Sequence, residues 1–220
     1  MKLQAGWVPV ALSASIEPGT SAGAVVEGSE IVVWRDNSGN AHVWEDRCPH
    51  RGMRMSFGFV RGDHIACLYH GWQYDTAGQC RYIPAHPTLE VPQTIKVPTY
   101  STTEKYGIIW ATTASEASLP DIEAVMGTTP VRSLYIERGA GDVHTVLAKM
   151  GISDLVGTVG ILQAGDDRLL IAVQVISPKK TAVHIVILGS PAINAGAKQK
   201  HYAQWAEGLR FNLEQMAEVA

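Results

Sequence analysis

Short apolar segments separated by turn residues dominate the first part of the chain. Residues 31–34 and 41–44 are two such segments, and the sequence between them, Asp-Asn-Ser-Gly-Asn at 36–40, is rich in residues that favour tight turns. Neighbouring strands that are joined by a short turn pair antiparallel. Residues 6–46 therefore predict antiparallel β-sheet.

The last third of the chain changes from strand patterns to a helical pattern. Residues 168–176 and 181–188 are β-rich, and Ser-Pro-Lys-Lys at 177–180 separates them, which predicts a hairpin. From about Ala197, apolar residues recur at three- and four-residue spacing, which predicts a helix with one apolar face. These residues are Tyr202, Trp205, Leu209, Leu213 and Met216. The face is expected to pack on a core, and the alternative is that an exposed Trp205 stripe docks a partner subunit.

The composition between residues 114 and 130 indicates a connection between two domains. Ser, Glu, Pro and Gly accumulate there, and we place the boundary near Leu119. The predicted domains are residues 1–118 and 119–220. The fold class is α+β: a mainly antiparallel β domain, followed by a smaller β-sheet with a C-terminal helix.

Charge and hydropathy exclude several classes of partner. The chain has 18 Lys and Arg against 21 Asp and Glu, without a basic run, so neither nucleic acid nor a membrane surface is expected as a partner. No stretch reaches about 18 apolar residues, and the N-terminus has no apolar signal region. With 3 Cys in 220 residues, we expect a cytoplasmic protein in a reducing compartment. Cys80 is expected to be a buried or loop thiol.

Two short motifs carry the candidate chemistry. Cys48-Pro49-His50 and Cys67-Leu68-Tyr69-His70 each supply one Cys and one His, and a Gly follows each His closely. A Rieske [2Fe-2S] cluster has two Cys on one iron and two His on the other, so the motifs fit that ligand set. We assign Cys48 and Cys67 to the inner iron, and His50 and His70 to the outer iron. The alternative is a structural zinc site, although zinc fingers usually pair Cys with Cys and His with His.

The segment CPHRGMRMSFGFVRGDHIACLYHGWQYDTAGQC, residues 48–80, resembles the Rieske domain of the ring-hydroxylating and O-demethylating oxygenases over its whole length. The resemblance continues through residues 83–85 and 106–110. It implies a reductase or ferredoxin as electron donor, and an oligomer in which the cluster of one subunit feeds the mononuclear iron of its neighbour. An oxygenase partner subunit is therefore a possible acceptor.

Three residues distinguish this domain from the respiratory Rieske type. Met53 and Tyr69 occupy the positions of the second Cys pair in that type, so no disulfide can form beside the cluster. Trp72 replaces a Ser that donates a hydrogen bond to cluster sulfur in the respiratory type. Fewer such hydrogen bonds lower the potential, so we expect a value at the low end of the Rieske range, roughly −150 mV.

The second domain resembles the helix-grip domain of these oxygenases in a truncated form. The family holds mononuclear Fe(II) through two His and a carboxylate, with an Asp and the two His on one helix. The closest segment here is residues 150–162, where Asp154 matches the Asp, but Gly157 and Leu162 fall at the His positions. In this register no mononuclear Fe(II) is expected.

Three functions remain open from the sequence. The first is an electron-transfer or accessory subunit that lacks its own mononuclear iron. The second is a complete oxygenase that hydroxylates or demethylates a small aromatic substrate at an unconventional iron site. Asp142 and His144 would lie on one face of a strand and could form that site with His184. The third is a redox-sensing or binding module.

Overall fold

The computed structural model describes residues 6–113, 118, 119, 121, 122, 126–152, 158–189 and 195–215. Residues 6–113 contain ten strands. In chain order they are β1 (Val8–Leu12), β2 (Ser21–Val26), β3 (Ser29–Arg35), β4 (Ala41–Glu45), β5 (Phe59–Arg61), β6 (His64–Ala66), β7 (Gln73–Asp75), β8 (Cys80–Tyr82), β9 (Thr99–Lys105) and β10 (Ile108–Thr112).

These strands form two antiparallel sheets. The larger has the order β1-β10-β9-β4-β3-β2, and the smaller has the order β5-β6-β7-β8. The predicted hairpin is confirmed, because β3 and β4 pair with Val33 opposite Val43. Trp34, Trp44 and Trp110 are at most 1% exposed, so the three indoles fill the interior on the faces of the larger sheet.

The described residues from 126 onward form one sheet and two helices. Their elements are β11 (Thr128–Ile136), α1 (Ala140–Lys149), β12 (Val159–Ala164), β13 (Asp167–Ser177), β14 (Lys180–Leu188) and α2 (Ala195–Gln215), and the sheet order is β11-β14-β13-β12. The predicted hairpin is confirmed, and the terminal helix is confirmed as far as Gln215, while Met216 lies outside the described residues. Trp205 lies partly buried against the core together with Tyr202 and Leu209, so the alternative of an exposed docking stripe is wrong.

The second sheet is covered on both faces. Val183 and Ile185 belong to the core that the sheet shares with α1 and α2. Leu170 and Val186 point the other way and pack with Trp110 of the first domain. The turn between β2 and β3 also reaches the second sheet, since the backbone N–H of Gly28 donates to the carbonyl of Ile176 at 2.7 Å. The α+β fold is thereby confirmed, while the boundary near Leu119, between β10 and β11, stays a prediction.

Arg35 connects several loops of the first domain from a buried position. Its Nε donates to the carbonyl of Ile16 at 2.7 Å, and its two terminal nitrogens each donate to one carboxylate oxygen of Glu104 at 2.7 Å. The guanidinium lowers the pKa of Glu104. We expect Arg35→Met to lower the free energy of unfolding by about 3 kcal/mol, because it leaves a carboxylate and carbonyls unpaired. Urea denaturation tests this, with the exposed Arg61→Met as the control; equal losses in the two variants would contradict it.

No helix among the described residues is long and apolar enough to cross a membrane.

Candidate metal centre

The two Cys/His motifs form a pair of matching loops. The first follows β4, and the second connects β6 to β7. Each loop is closed by the same two backbone hydrogen bonds. They are Cys48 N to Met53 O at 2.8 Å and Gly52 N to Cys48 O at 2.8 Å in the first loop, and Cys67 N to Trp72 O at 2.9 Å and Gly71 N to Cys67 O at 3.0 Å in the second. The two loops therefore present their ligands in the same way.

A glycine makes each of these turns possible. Gly52 and Gly71 both have φ of +70°, in the left-handed region that residues with a Cβ seldom adopt. This conformation returns the chain to the carbonyl of the preceding Cys. The Gly that follows each motif in the sequence is thus part of the ligand loop itself.

The two cysteines form the inner half of the site. Cys48 and Cys67 are each 3% exposed and lie in one apolar cluster with Tyr74. Interaction with Cys67 lowers the pKa of the Cys48 thiol to about 5, whereas Cys48 and burial raise the pKa of Cys67. Two neighbouring thiolates repel each other, and a positively charged metal removes this repulsion.

The two histidines form the outer half. The ring centroids of His50 and His70 are 4.6 Å apart, and His70 is exposed. Trp72 stacks on the His50 ring at 4.2 Å with an interplanar angle of 5°, and Tyr69 lies 3.9 Å from the His70 ring. Aromatic neighbours therefore orient both imidazoles.

The four side chains differ in burial. Cys48 and Cys67 are buried, whereas His50 is half-buried and His70 is exposed. A structural zinc site needs four ligands around one ion. A buried thiol pair beneath a more exposed imidazole pair fits a cofactor with two metal atoms.

Tyr74 contacts a proposed ligand and was not predicted from the sequence. Its hydroxyl lies 3.1 Å from Cys48 Sγ, and the side chain is fully buried. Burial raises the pKa of Tyr74, so the phenol keeps its proton. A metal-bound thiolate can only accept a hydrogen bond, so the phenol donates. The local sequence gives no signal for this contact, because Tyr74 and Cys48 are 26 positions apart.

We expect Tyr74→Phe to lower the reduction potential of the bound cluster by roughly 20–60 mV. The hydrogen bond stabilises the reduced, more negative state more than the oxidised state, and a contribution of about 0.5–1.5 kcal/mol corresponds to that shift for one electron. Potentiometric titration followed by EPR measures the effect. Tyr82→Phe in β8 is the control, and an unchanged or higher potential for Tyr74→Phe would contradict the role of the hydroxyl.

Cys80 is the third cysteine, and the expectation of a buried thiol is confirmed. It is 1% exposed, its Sγ lies 3.8 Å from the carbonyl of Tyr82, and burial raises its pKa. A raised pKa keeps it a thiol rather than a thiolate.

The alternative iron site of Asp142, His144 and His184 is wrong. Asp142 and His144 lie in α1, not in a strand, and residues two apart on a helix point about 200° apart. His184 lies in β14 between Val183 and Ile185, whose side chains face α1, so its own side chain faces the opposite side of the sheet. The sheet therefore separates His184 from α1.

The match of residues 150–162 to the iron-binding helix is only partly within the described residues. Asp154 and Gly157 lie outside them. Leu162 lies in β12, and α1 ends at Lys149, so Leu162 is not on a helix as that register requires.

His184 is buried and uncharged, which makes the stability of the second domain depend on pH. Burial lowers its pKa to about 4, against about 6.5 in an unfolded chain. Below pH 6.5 the unfolded state takes up a proton that the folded state does not. The contribution of this histidine to the free energy of unfolding is therefore fully present above about pH 6.5. It is lost as the pH falls toward 4, by roughly 3 kcal/mol in total.

We expect His184→Gln to reduce this pH dependence. Urea denaturation at pH 7, 6 and 5 measures it, and the exposed His201→Gln is the control. A loss of stability on acidification that is the same in His184→Gln and in the original protein would contradict the assignment.

Comparison with known proteins agrees with these observations. Residues 6–101 match the family model of the Rieske [2Fe-2S] domain. Oxidoreductase NdmD of Pseudomonas putida is 33% identical over 170 residues, which are 74% of this chain and 29% of that protein. The 3-chlorobenzoate-3,4-dioxygenase oxygenase subunit of Comamonas testosteroni is 31% identical over 118 residues, 53% of this chain and 27% of that protein. The chain thus spans less than a third of the length of these two relatives.

Solved structures share the fold. Dicamba monooxygenase bound to dicamba superposes with a TM-score of 0.81 at 13% identity, covering 96% of this chain and 86% of that one. NdmA of Pseudomonas putida CBB5 has a TM-score of 0.76 at 18% identity, covering 98% and 82%. The fold and the matched domain define a Rieske iron–sulfur protein whose cofactor is a [2Fe-2S] cluster. The chain belongs to the Rieske oxygenase family.

Proposed function

We propose that the chain is a one-electron carrier of an oxygenase system, with Cys48 and Cys67 holding one iron and His50 and His70 the other. Each loop offers one thiol and one imidazole, and the matching loop geometry brings like ligands together. The observation that carries the proposal is this arrangement of a buried thiol pair beneath an outward imidazole pair. When bound, the cluster accepts and releases single electrons.

The ligand loops also provide a surface for redox partners. His70 is exposed, and the side chains of Leu68 and Tyr69 beside it are 49% and 55% exposed. An apolar surface around an exposed ligand edge is suited to transient docking, because the short path favours electron transfer while the contact stays small. We propose that a reductase or ferredoxin docks here as donor, and that a mononuclear iron in a partner subunit is the acceptor.

The second domain supports an accessory role rather than independent oxygen chemistry. Both ring nitrogens of His184 are engaged, by Ser133 and Gln174, so this imidazole is not free to bind metal. Asp142 is exposed on α1, away from His184. These two residues therefore do not supply the missing ligands.

A complete oxygenase is the second candidate, and one observation favours it. His144 Nε2 is buried without a hydrogen-bond partner among the described residues. A buried imidazole nitrogen without a partner is a candidate ligand for a metal ion. Residues near α1 would have to supply the rest of such a site.

Iron and sulfide content separates the two candidates. The protein is purified anaerobically, iron, zinc and acid-labile sulfide are measured per chain, and the reduced form is examined by EPR. About two irons and two sulfides with a Rieske signal are expected for the electron carrier. A third iron that His144→Ala removes would establish the oxygenase instead, and zinc without sulfide would overturn both.

A further inference from the structure

A cavity of ≈ 530 Å³ lies between the two domains, away from the cluster loops. Three strands at sheet edges surround it: β1 and β2 from the larger sheet of the first domain, and β11 from the sheet of the second. Its wall is mixed, with the apolar Val10, Leu12 and Ile16 on one side and the polar Arg132, Ser133 and His184 on the other. Its volume is within the range of small-molecule sites, about 300–1,000 Å³.

A directional chain of hydrogen bonds ends at this cavity. Gln174 Nε2 donates to the carbonyl of Val25 at 2.8 Å, which turns Gln174 Oε1 toward His184. Oε1 accepts from His184 Nε2 at 2.8 Å, so the proton of this buried, neutral imidazole is on Nε2. Nδ1 is then an acceptor, and the hydroxyl of Ser133 donates to it at 2.8 Å. The hydrogen bond from Gln174 to Val25 therefore sets the donor and acceptor roles of Gln174, His184 and Ser133 in turn.

These hydrogen bonds leave the Ser133 hydroxyl able only to accept a further hydrogen bond. Its single proton is held by His184, and Ser133 and His184 both line the cavity. Arg132 lines it as well, and its guanidinium pairs at 2.6 Å with Glu207, a carboxylate that also pairs with Arg210. A preorganised acceptor in such a cavity favours ligands that bring a donor.

We propose that this interdomain cavity binds a neutral, ring-sized molecule whose O–H or N–H group donates to Ser133 Oγ. His184 and Gln174 are positioning residues, because they act on the ligand only through the Ser133 hydroxyl. A carboxylate gains no hydrogen bond from Ser133, since this hydroxyl has no proton left to offer. The site is independent of the cluster and of the proposed electron transfer.

Phenol and anisole form a matched pair of probes, because methylation removes the donor and keeps the ring and the oxygen. Binding to the cluster-loaded protein is measured by ligand-observed NMR titration. We expect phenol to bind about 5-fold more tightly than anisole, the effect of one hydrogen bond. Equal affinities, or tighter binding of benzoate than of phenol, would overturn the proposal. The comparison of phenol with anisole uses the unaltered protein, so it tests the proposed hydrogen bond even if a variant fails to fold.

Two variants test the direction of the hydrogen bonds. Ser133→Ala should weaken phenol about 5-fold and leave anisole unchanged, whereas Ser15→Ala, a hydroxyl on the same wall without a His partner, should change neither. His184→Leu frees the Ser133 proton, so anisole should gain affinity and the preference for phenol should disappear. A preference for phenol that survives both Ser133→Ala and His184→Leu would overturn the role of Ser133.

Discussion

Replacing Cys48 or Cys67 with serine is expected to lower the iron content of the purified protein at least about tenfold, because loss of even a supporting residue around a metal ligand costs about 10- to 100-fold in affinity. A serine hydroxyl is a poor substitute for thiolate on iron. Both cysteines are 3% exposed within the core of the first domain, so an empty site also leaves two buried polar groups without their metal. We therefore expect lower stability as well as loss of the cluster. Iron, acid-labile sulfide and the EPR signal of the reduced protein measure the effect.

Cys80 supplies the matched control for this experiment. It is a buried cysteine of the same apolar cluster, but its neighbour is the carbonyl of Tyr82 rather than a second ligand. Cys80→Ser should keep about two irons and two sulfides per chain, as a Rieske cluster requires. A normal cluster in Cys48→Ser, or loss of the cluster in Cys80→Ser alone, would contradict the ligand assignment.

The parts of the fold that were predictable are those specified by local sequence. The hairpin of β3 and β4 is encoded by two short apolar segments around a turn sequence, and α2 by the recurrence of Tyr202, Leu209 and Leu213. The segment that contains Asp142 and His144 was misjudged. Val143, Val146 and Leu147 recur there at three- and four-residue spacing, which is a helical pattern, and they pack against the second sheet. The strand interpretation of Asp142 and His144 did not take this pattern into account.

The candidate site was likewise predictable only in part. The four proposed ligands follow from residue types and spacing, because few side chains bind iron and the two Cys/His motifs are short. The surroundings of the ligands do not follow from spacing. Trp72 was interpreted only as the loss of a Ser hydrogen bond, whereas its ring stacks on His50, and Tyr74 supplies a hydrogen bond to Cys48 instead. Both contacts join residues more than 20 positions apart, and only the folded chain brings them together.

Replacing His50 or His70 with cysteine is expected to keep a cluster but to lower its reduction potential by roughly 100 mV or more. A thiolate brings a negative charge in place of a neutral imidazole, which disfavours the addition of an electron. Clusters with four Cys lie near −400 mV in plant-type ferredoxins, whereas Rieske centres begin at about −150 mV, so two such replacements span about 250 mV. Potentiometric titration of the anaerobic variants measures the shift.

His64→Cys is the control for this prediction, because it adds a thiol on β6 of the same small sheet without changing a ligand. Its potential should match that of the original protein. An unchanged or higher potential in both His50→Cys and His70→Cys would contradict the placement of the histidines on the outer iron. A shift in one variant alone would mean that only that histidine binds iron, and the neutral imidazole pair would no longer explain a Rieske potential.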